Sequence, residues 1–333
     1  MDSKLKKLAW FGVSTAIIGG LIYFADINKF IESLQSASGP LLVPAFATGL
    51  GVFLIFGYTW YRFLTKVGVD VSYFESVRLF LAGQFMNSIT PLGQFGGEPF
   101  MAYIIRKNTG TSYEKAFSTV FSADVVNGIP TLTFVLGGSL YLLLFSSVND
   151  VILQTVYAGV GLTVLGGLIV YLLWFKAGVI EGYLLGVLSF FSELTGRGDS
   201  LVETAEKRLD RVQESFETIG ENPRHLFETS VVAHLSFVFQ VICLYFIMLS
   251  LGQQVEITPL YFIIAISGLA NFAPTPGGSG AYEATMAGIL TFFLNIQLPV
   301  AITVAVLFRL TTYWPGLLIG YLSLLSVENG GEA

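Results

Sequence analysis

Residues 271–283 read NFAPTPGGSGAYE and lie between the apolar runs 258–270 and 284–294. A helix crossing a bilayer would not carry two prolines and three glycines here. Proline removes a backbone donor and clashes with the preceding turn, while glycine adds backbone entropy. An irregular loop facing lipid is equally unfavourable, because hydrocarbon cannot satisfy exposed amides. The segment must therefore be buried in protein or line a wet cavity. The expected form is a re-entrant tip, where one short helix stops and a second turns back with its first N–H groups able to attract an anion.

The rest of the chain supports a membrane setting. Of its 333 residues 53% are hydrophobic and only 12% charged, with a mean hydropathy of +0.71. Soluble domains carry about twice that share of charge. At about 20 apolar residues per crossing there is room for roughly six to eight spans in one membrane domain, residues 1–333, and none for a large soluble catalytic domain. Cys243 stands alone, and His225 and His234 have no metal-ligand spacing, so no disulfide, metal or cofactor is expected. Nucleic acid is not an expected partner either.

Lysine and arginine positions set the topology. Lys4, Lys6 and Lys7 precede the apolar run 8–24, which we read as a first transmembrane helix instead of a cleaved signal. A span from about Leu41 to Tyr61 ends at Arg62 and Lys66, and one from about Val151 to Phe175 ends at Lys176. The stretch after it carries Arg197, Lys207, Arg208, Arg211 and Arg224, which predicts a cytoplasmic, amphipathic connector over about 176–225. Further spans are expected over about 226–251 and 299–326. Both termini then lie in the cytoplasm of a multi-pass plasma-membrane protein.

An internal repeat relates the quoted stretch to a second one. Laying residues 83–132 over 268–317 pairs Thr90-Pro91 with Thr275-Pro276, Gly93 with Gly278, Glu98 with Glu283 and Pro130 with Pro315. Eleven of the fifty pairs are identical, and the matches fall on residue types that are scarce in an apolar chain. The first tip is TPLGQFGGEP, with Pro91, Gly93, Gly96 and Gly97. The second has Pro276, Gly277, Gly278 and Gly280. Repeat 1 covers about 41–145 and repeat 2 about 226–326, each read as a span, a broken hairpin and a long broken span. The first starts outside and the second inside. The predicted fold is thus an all-α polytopic membrane protein with an inverted-topology repeat, its two re-entrant helical hairpins meeting near the midplane.

Ionisable groups at that depth cost about 2.5 to 3.5 kcal/mol each and point to function. Glu98 and Glu283 fall at equivalent helix starts, where the dipole favours an anion. Arg309 pairs with Asp124 under the same offset. These four charges are expected to compensate one another around one cavity, either as a structural ion-pair cluster or as a binding site in which Arg309 forks onto a phosphate. Asn87, Asn271, Thr90, Thr275, Tyr282 and Tyr313 lie at or beside the breaks and serve the loosened backbone or a bound headgroup. His234 is expected to bond across to another helix.

The segments PLGQFGGEPFMAYIIRKNTG and PTPGGSGAYEA, with the later Arg309, Tyr313 and Pro315, resemble the flippase-like family named for the membrane part of bacterial lysylphosphatidylglycerol synthase. The resemblance covers nearly the whole chain. It implies movement between leaflets of a lipid with a large polar head, either an aminoacylated phospholipid or a polyprenyl-phosphate-linked glycolipid. The family's soluble transferase domain is absent here, so aminoacyl-lipid synthesis is not implied. Many members of that family carry an arginine near an acidic residue in the stretch matching 122–127, whereas this chain has Asp124 alone. No GxxxxGK[ST] phosphate loop occurs, so a translocase without its own ATP hydrolysis, and not an enzyme, is expected. The competing readings are an ion-coupled transporter of a small anion and an intramembrane transferase using Glu98, Asp124 or Glu283. Expected partners are the lipid itself and either a second copy of the chain or a separate lipid-modifying enzyme.

Overall fold

The computed structural model describes residues 20, 27–89, 97–145, 150–176, 178–179, 182, 199–273 and 275–329. The expected first helix over 8–24 and the first tip over 90–96 lie outside the described residues. Those described are helical, without strands. The helices are α1 (Ile27–Ser36), α2 (Gly39–Lys66), α3 (Tyr73–Ile89), α4 (Glu98–Thr109), α5 (Tyr113–Phe145), α6 (Asp150–Phe175) and α7 (Asp199–Gly220). After these come α8 (Pro223–Ser250), α9 (Ile257–Leu269), α10 (Ala281–Leu294), α11 (Leu298–Thr312) and α12 (Trp314–Asn329).

Five stretches are long and apolar enough to span a bilayer: Gly39–Lys66, Tyr113–Leu144, Val156–Phe175, Pro223–Ser250 and Leu298–Val327. The chain is a multi-pass membrane protein. Helix α11 buries most of its side chains, whereas only 17% of the apolar window in Val156–Phe175 is buried, so α11 lies at the centre and α6 at the periphery.

Local chemistry fixes the helix ends. Pro40, Pro99, Pro223 and Pro299 sit in first turns, where the missing N–H has no helical partner to lose. Asn222 caps α8 by accepting the His225 N–H at 3.1 Å. Ser72 and Glu75 close a reciprocal box at the start of α3, with Ser72 N–H donating to Glu75 Oε2 at 2.7 Å and Glu75 N–H to Ser72 Oγ at 3.3 Å. Gly110 ends α4 in the left-handed region at φ 69°.

The 185-residue offset also relates element lengths and packing. Moved back by 185 positions, α8 covers 38–65, beside α2, and α9 with its following 3₁₀ turn covers 72–87, beside α3. Likewise α10 becomes 96–109, beside α4, and the α11–α12 pair becomes 113–144, beside α5. Contacts follow the same exchange: α3 packs on α12 as α9 packs on α5, and α2 and α8 pack on each other. Small residues allow the close approaches. A Cβ on Gly49 would meet the Thr311 carbonyl oxygen of α11 at 2.5 Å, and one on Gly57 would meet Val77 of α3 at 2.5 Å.

One expected similarity fails. The fourth segment of the second half breaks at Tyr313 between α11 and α12, but α5 runs unbroken through Pro130. Proline alone removes one hydrogen bond, which a long helix flanked by packed neighbours absorbs. Pro315 is followed at once by Gly316, so the missing donor coincides with the least helix-favouring ordinary residue.

The buried side chains form two main clusters. One gathers Trp60, Phe63, Phe80, Met101, Ile105 and Val120 with their neighbours. The other gathers Leu244, Ile247, Ile263, Met286, Leu290 and Phe308. The amphipathic helix α7 packs on α5 and α6, burying Phe216 and Ile219 and setting Phe216 edge-on to Phe121 at 6.0 Å.

Candidate functional site

The quoted stretch contains a sharp turn between two helices. After α9 the chain forms a 3₁₀ turn at Ala270–Phe272, extends at Thr275 and forms another at Pro276–Gly278 before α10 begins. Gly277, Gly278 and Gly280 have φ of 56°, 67° and 85°, a region costly to residues with a side chain. Space demands glycine as well. A Cβ on Gly277 would run into the Tyr313 ring, and one on Gly278 into the backbone of Ala270 and Asn271. This turn packs on α3, the first helix of the other hairpin.

Arg309 of α11 organises the turn from within. Its Nε donates to Glu283 Oε1 at 3.3 Å, and its Nη2 donates to the Gly277 carbonyl at 2.8 Å and to Ser279 Oγ at 3.2 Å. Its guanidinium lies 3.6 Å from the Tyr313 ring centre and 5.0 Å from that of Tyr282. Tyr282 stacks parallel to Phe308, with centroids 6.2 Å apart. The other oxygen of Glu283 accepts the Gly280 N–H at 2.6 Å, so this carboxylate both caps α10 and neutralises Arg309. Arg309 and Glu283 are 5% and 3% exposed, deep enough for the pair to be largely withdrawn from water. Thr275 is buried with no partner for its hydroxyl, and Asn271 is partly buried against Gly278.

The first half builds its charged pair differently. Glu98, the first residue of α4, is 2% exposed and lies beside the Asn87 side chain; among the described residues neither oxygen has a hydrogen-bonding partner in good geometry. Its electrostatic neighbour is Asp124 of α5, whose Oδ1 accepts the Trp60 Nε1–H at 2.7 Å. Thr59 donates to Asn127 Oδ1, one helical turn beyond Asp124, at 2.7 Å. Asn87 Oδ1 accepts the Gly97 N–H, so Asn87 serves the backbone at the break.

The structure thus corrects one expectation. The four charges form two pairs, and only Arg309 with Glu283 compensates. Glu98 and Asp124 are both acids, so burial and mutual repulsion act on them together. Thr90, Pro91, Gly93 and Gly96 lie outside the described residues. Trp60, Thr59, Asn127 and Ser279 were missed by sequence reasoning. Trp60 and Thr59 lie in an uninterrupted apolar span with no polar spacing to mark them, whereas Ser279 stood within the quoted break. His234 behaves as expected: Nε2 lies 2.9 Å from Thr133 Oγ1 and Nδ1 2.7 Å from the Ser230 carbonyl, tying α8 to α5. Among the described residues, no three His, Cys, Asp or Glu are grouped to hold a metal.

Comparison with known proteins agrees with this architecture. A UPF0104 membrane protein of Pyrococcus horikoshii is 24% identical over 95% of this chain and 96% of its own length. One from Methanocaldococcus jannaschii is 27% identical over 95% of this chain and 93% of its own. Another, from Methanothermobacter thermautotrophicus, is 25% identical over 93% of this chain and 90% of its own. The family model described as lysylphosphatidylglycerol synthase TM region matches residues 11–320. The chain belongs to the family of the lysylphosphatidylglycerol synthase transmembrane region.

Proposed function

We propose that the protein is a lipid translocase that passes an anionic or phosphate-bearing headgroup between leaflets while the tails stay in hydrocarbon. The observation that carries this reading is Arg309. Its Nε and Nη2 are engaged by the hairpin turn and its face is stacked on Tyr313, and among the described residues Nη1 makes no hydrogen bond, which makes it the edge we read as meeting a phosphate oxygen. A guanidinium held in this way is preorganised, so little side-chain entropy remains to be lost on binding. The half-helix start at Gly280–Glu283 and the buried Thr275 hydroxyl supply further polar atoms at the same turn.

The exchange of packing partners between the halves supports an inverted repeat with two re-entrant hairpins. The contact of the Pro276–Gly278 turn with α3 supports tips that meet inside the bundle. In this reading repeat 1 covers about 41–145, repeat 2 about 226–326, and α7 lies in the cytoplasmic connector. The clustering of Lys and Arg supports a cytoplasmic side for both termini. Membership of the family favours a lipid over a free anion as cargo.

The test is leaflet-resolved translocation in proteoliposomes across several headgroup-labelled anionic lipids. Wild type is compared with Arg309→Ala and Glu283→Gln, with folding checked by size-exclusion chromatography and helicity. At least one lipid should move in wild type and slow at least tenfold in Arg309→Ala. If both folded variants move every tested lipid as fast as wild type, the reading is wrong.

A further inference from the structure

The two halves carry different chemistry at equivalent places. In the second, Glu283 faces Arg309 at 3.3 Å. The 185-residue offset puts Glu98 in the place of Glu283 and Asp124 in that of Arg309, so the first half has an acid where the second has a cation. Glu98 is buried beside the Asn87 side chain, and among the described residues neither of its oxygens accepts a hydrogen bond in good geometry; Asp124, its electrostatic neighbour, has the Trp60 N–H as a donor.

Among the described residues, the groups packed around this pair are neutral. From α3 comes Asn87, whose Oδ1 is committed to the Gly97 N–H. From α2 come Trp60 and Thr59, and α5 adds Asn127 beside Asp124. The helices α6, α7, α8 and α9 also touch α5 but contribute no titratable group acting on Asp124. The sequence of 90–97, TPLGQFGG, contains no Lys, Arg or His. Two ionised carboxylates here would repel each other, and the buried Glu98 would also lose several kcal/mol of hydration, while Asp124 is only partly buried. The pair must therefore carry a compensating cation at neutral pH. A hard metal ion needs about six oxygen ligands, and the nearby Oδ1 atoms of Asn87 and Asn127 already accept hydrogen bonds. A proton needs only the two carboxylates, as in other acid pairs that share one.

We propose that Glu98 and Asp124 form a proton-exchange site, taking one proton from water on one side of the membrane and releasing it on the other. The site stands on its own geometry; its coupling to cargo rests on the translocase reading. Infrared spectroscopy of the full-length protein in phosphatidylcholine vesicles tests the site. Wild type at neutral pH should show the carbonyl band of a protonated carboxylic acid that is lost in the Glu98→Gln/Asp124→Asn variant. Should that variant fold poorly, the Glu98→Gln and Asp124→Asn single variants provide the comparison, and the band should be lost or shifted in at least one of them. Absence of the band from wild type, or its persistence in these variants, overturns the site.

Coupling is read from labelled phosphatidylglycerol under an imposed pH gradient. One proton per lipid shifts the transbilayer distribution about tenfold per pH unit. A distribution that ignores the gradient overturns coupling. A wild type that moves no labelled lipid under any gradient counts against the translocase reading, while the infrared result still decides the site.

Discussion

Separating Arg309 from Glu283 should expose how much of the second hairpin depends on their pairing. At 3.3 Å and an effective dielectric constant of about 20, their gross attraction is about 5 kcal/mol. Much of that offsets the hydration both groups lose at their depth, so the net worth of the pair is far smaller than the loss on breaking it. Removing one partner should cost about 3 to 5 kcal/mol. Glu283→Gln leaves Arg309 charged and buried, with the Gly277 carbonyl, Ser279 and two aromatic rings as its remaining partners. Arg309→Met leaves Glu283 with the Gly280 N–H and the positive end of α10, which recover up to about 2 kcal/mol. Glu283→Gln should therefore be the more damaging single change. The double variant should lose less than the sum, with a coupling of about 1 to 3 kcal/mol. Unfolding by SDS titration in mixed micelles, followed by tryptophan fluorescence, measures all four corners of the cycle. Additive losses, with a coupling below about 0.5 kcal/mol, would refute the claim that the pair acts as a unit.

Two further outcomes follow from packing and capping. Gly49→Ala places a methyl against the Thr311 carbonyl, where backbone must give, and should cost about 1 to 3 kcal/mol in the same titration by separating α2 from α11. At the exposed start of α3, outside the five spans, the backbone and hydroxyl of Ser72 hold the Glu75 carboxyl below its usual range. Because the folded value is the lower one, this cap stabilises α3 above about pH 4.5 and loses its contribution as the pH falls through the folded value. Ser72→Ala should remove about 1 kcal/mol at neutral pH and weaken the acid-range dependence, read from thermal unfolding between pH 3 and 7.

Much of the fold was legible because lipid imposes a severe rule on backbone. Apolar runs such as 41–61 and 226–251 must be helical, and the Pro-Gly stretch at 274–280 could not be. The offset linking Thr90-Pro91 to Thr275-Pro276 foretold that α2 and α8, or α3 and α9, would have matching extents. It did not foretell that Pro130 would be absorbed while Pro315 breaks its helix, because that depends on Gly316 and on neighbours distant in sequence. Nor could it show that Trp60, in an unmarked apolar span, donates to Asp124.

Sequence alone determined that the chain lives in a bilayer, where its long apolar runs must be helical, and which few ionisable residues fall among them. These are consequences of solvent, of backbone hydrogen bonding and of residue type, and all are local. Tertiary structure decided who pairs with whom. Only packing brings the α11 guanidinium onto the α10 carboxylate and leaves the equivalent α4 carboxylate beside an acid, because interaction between charges depends on a separation in space that linear order does not fix.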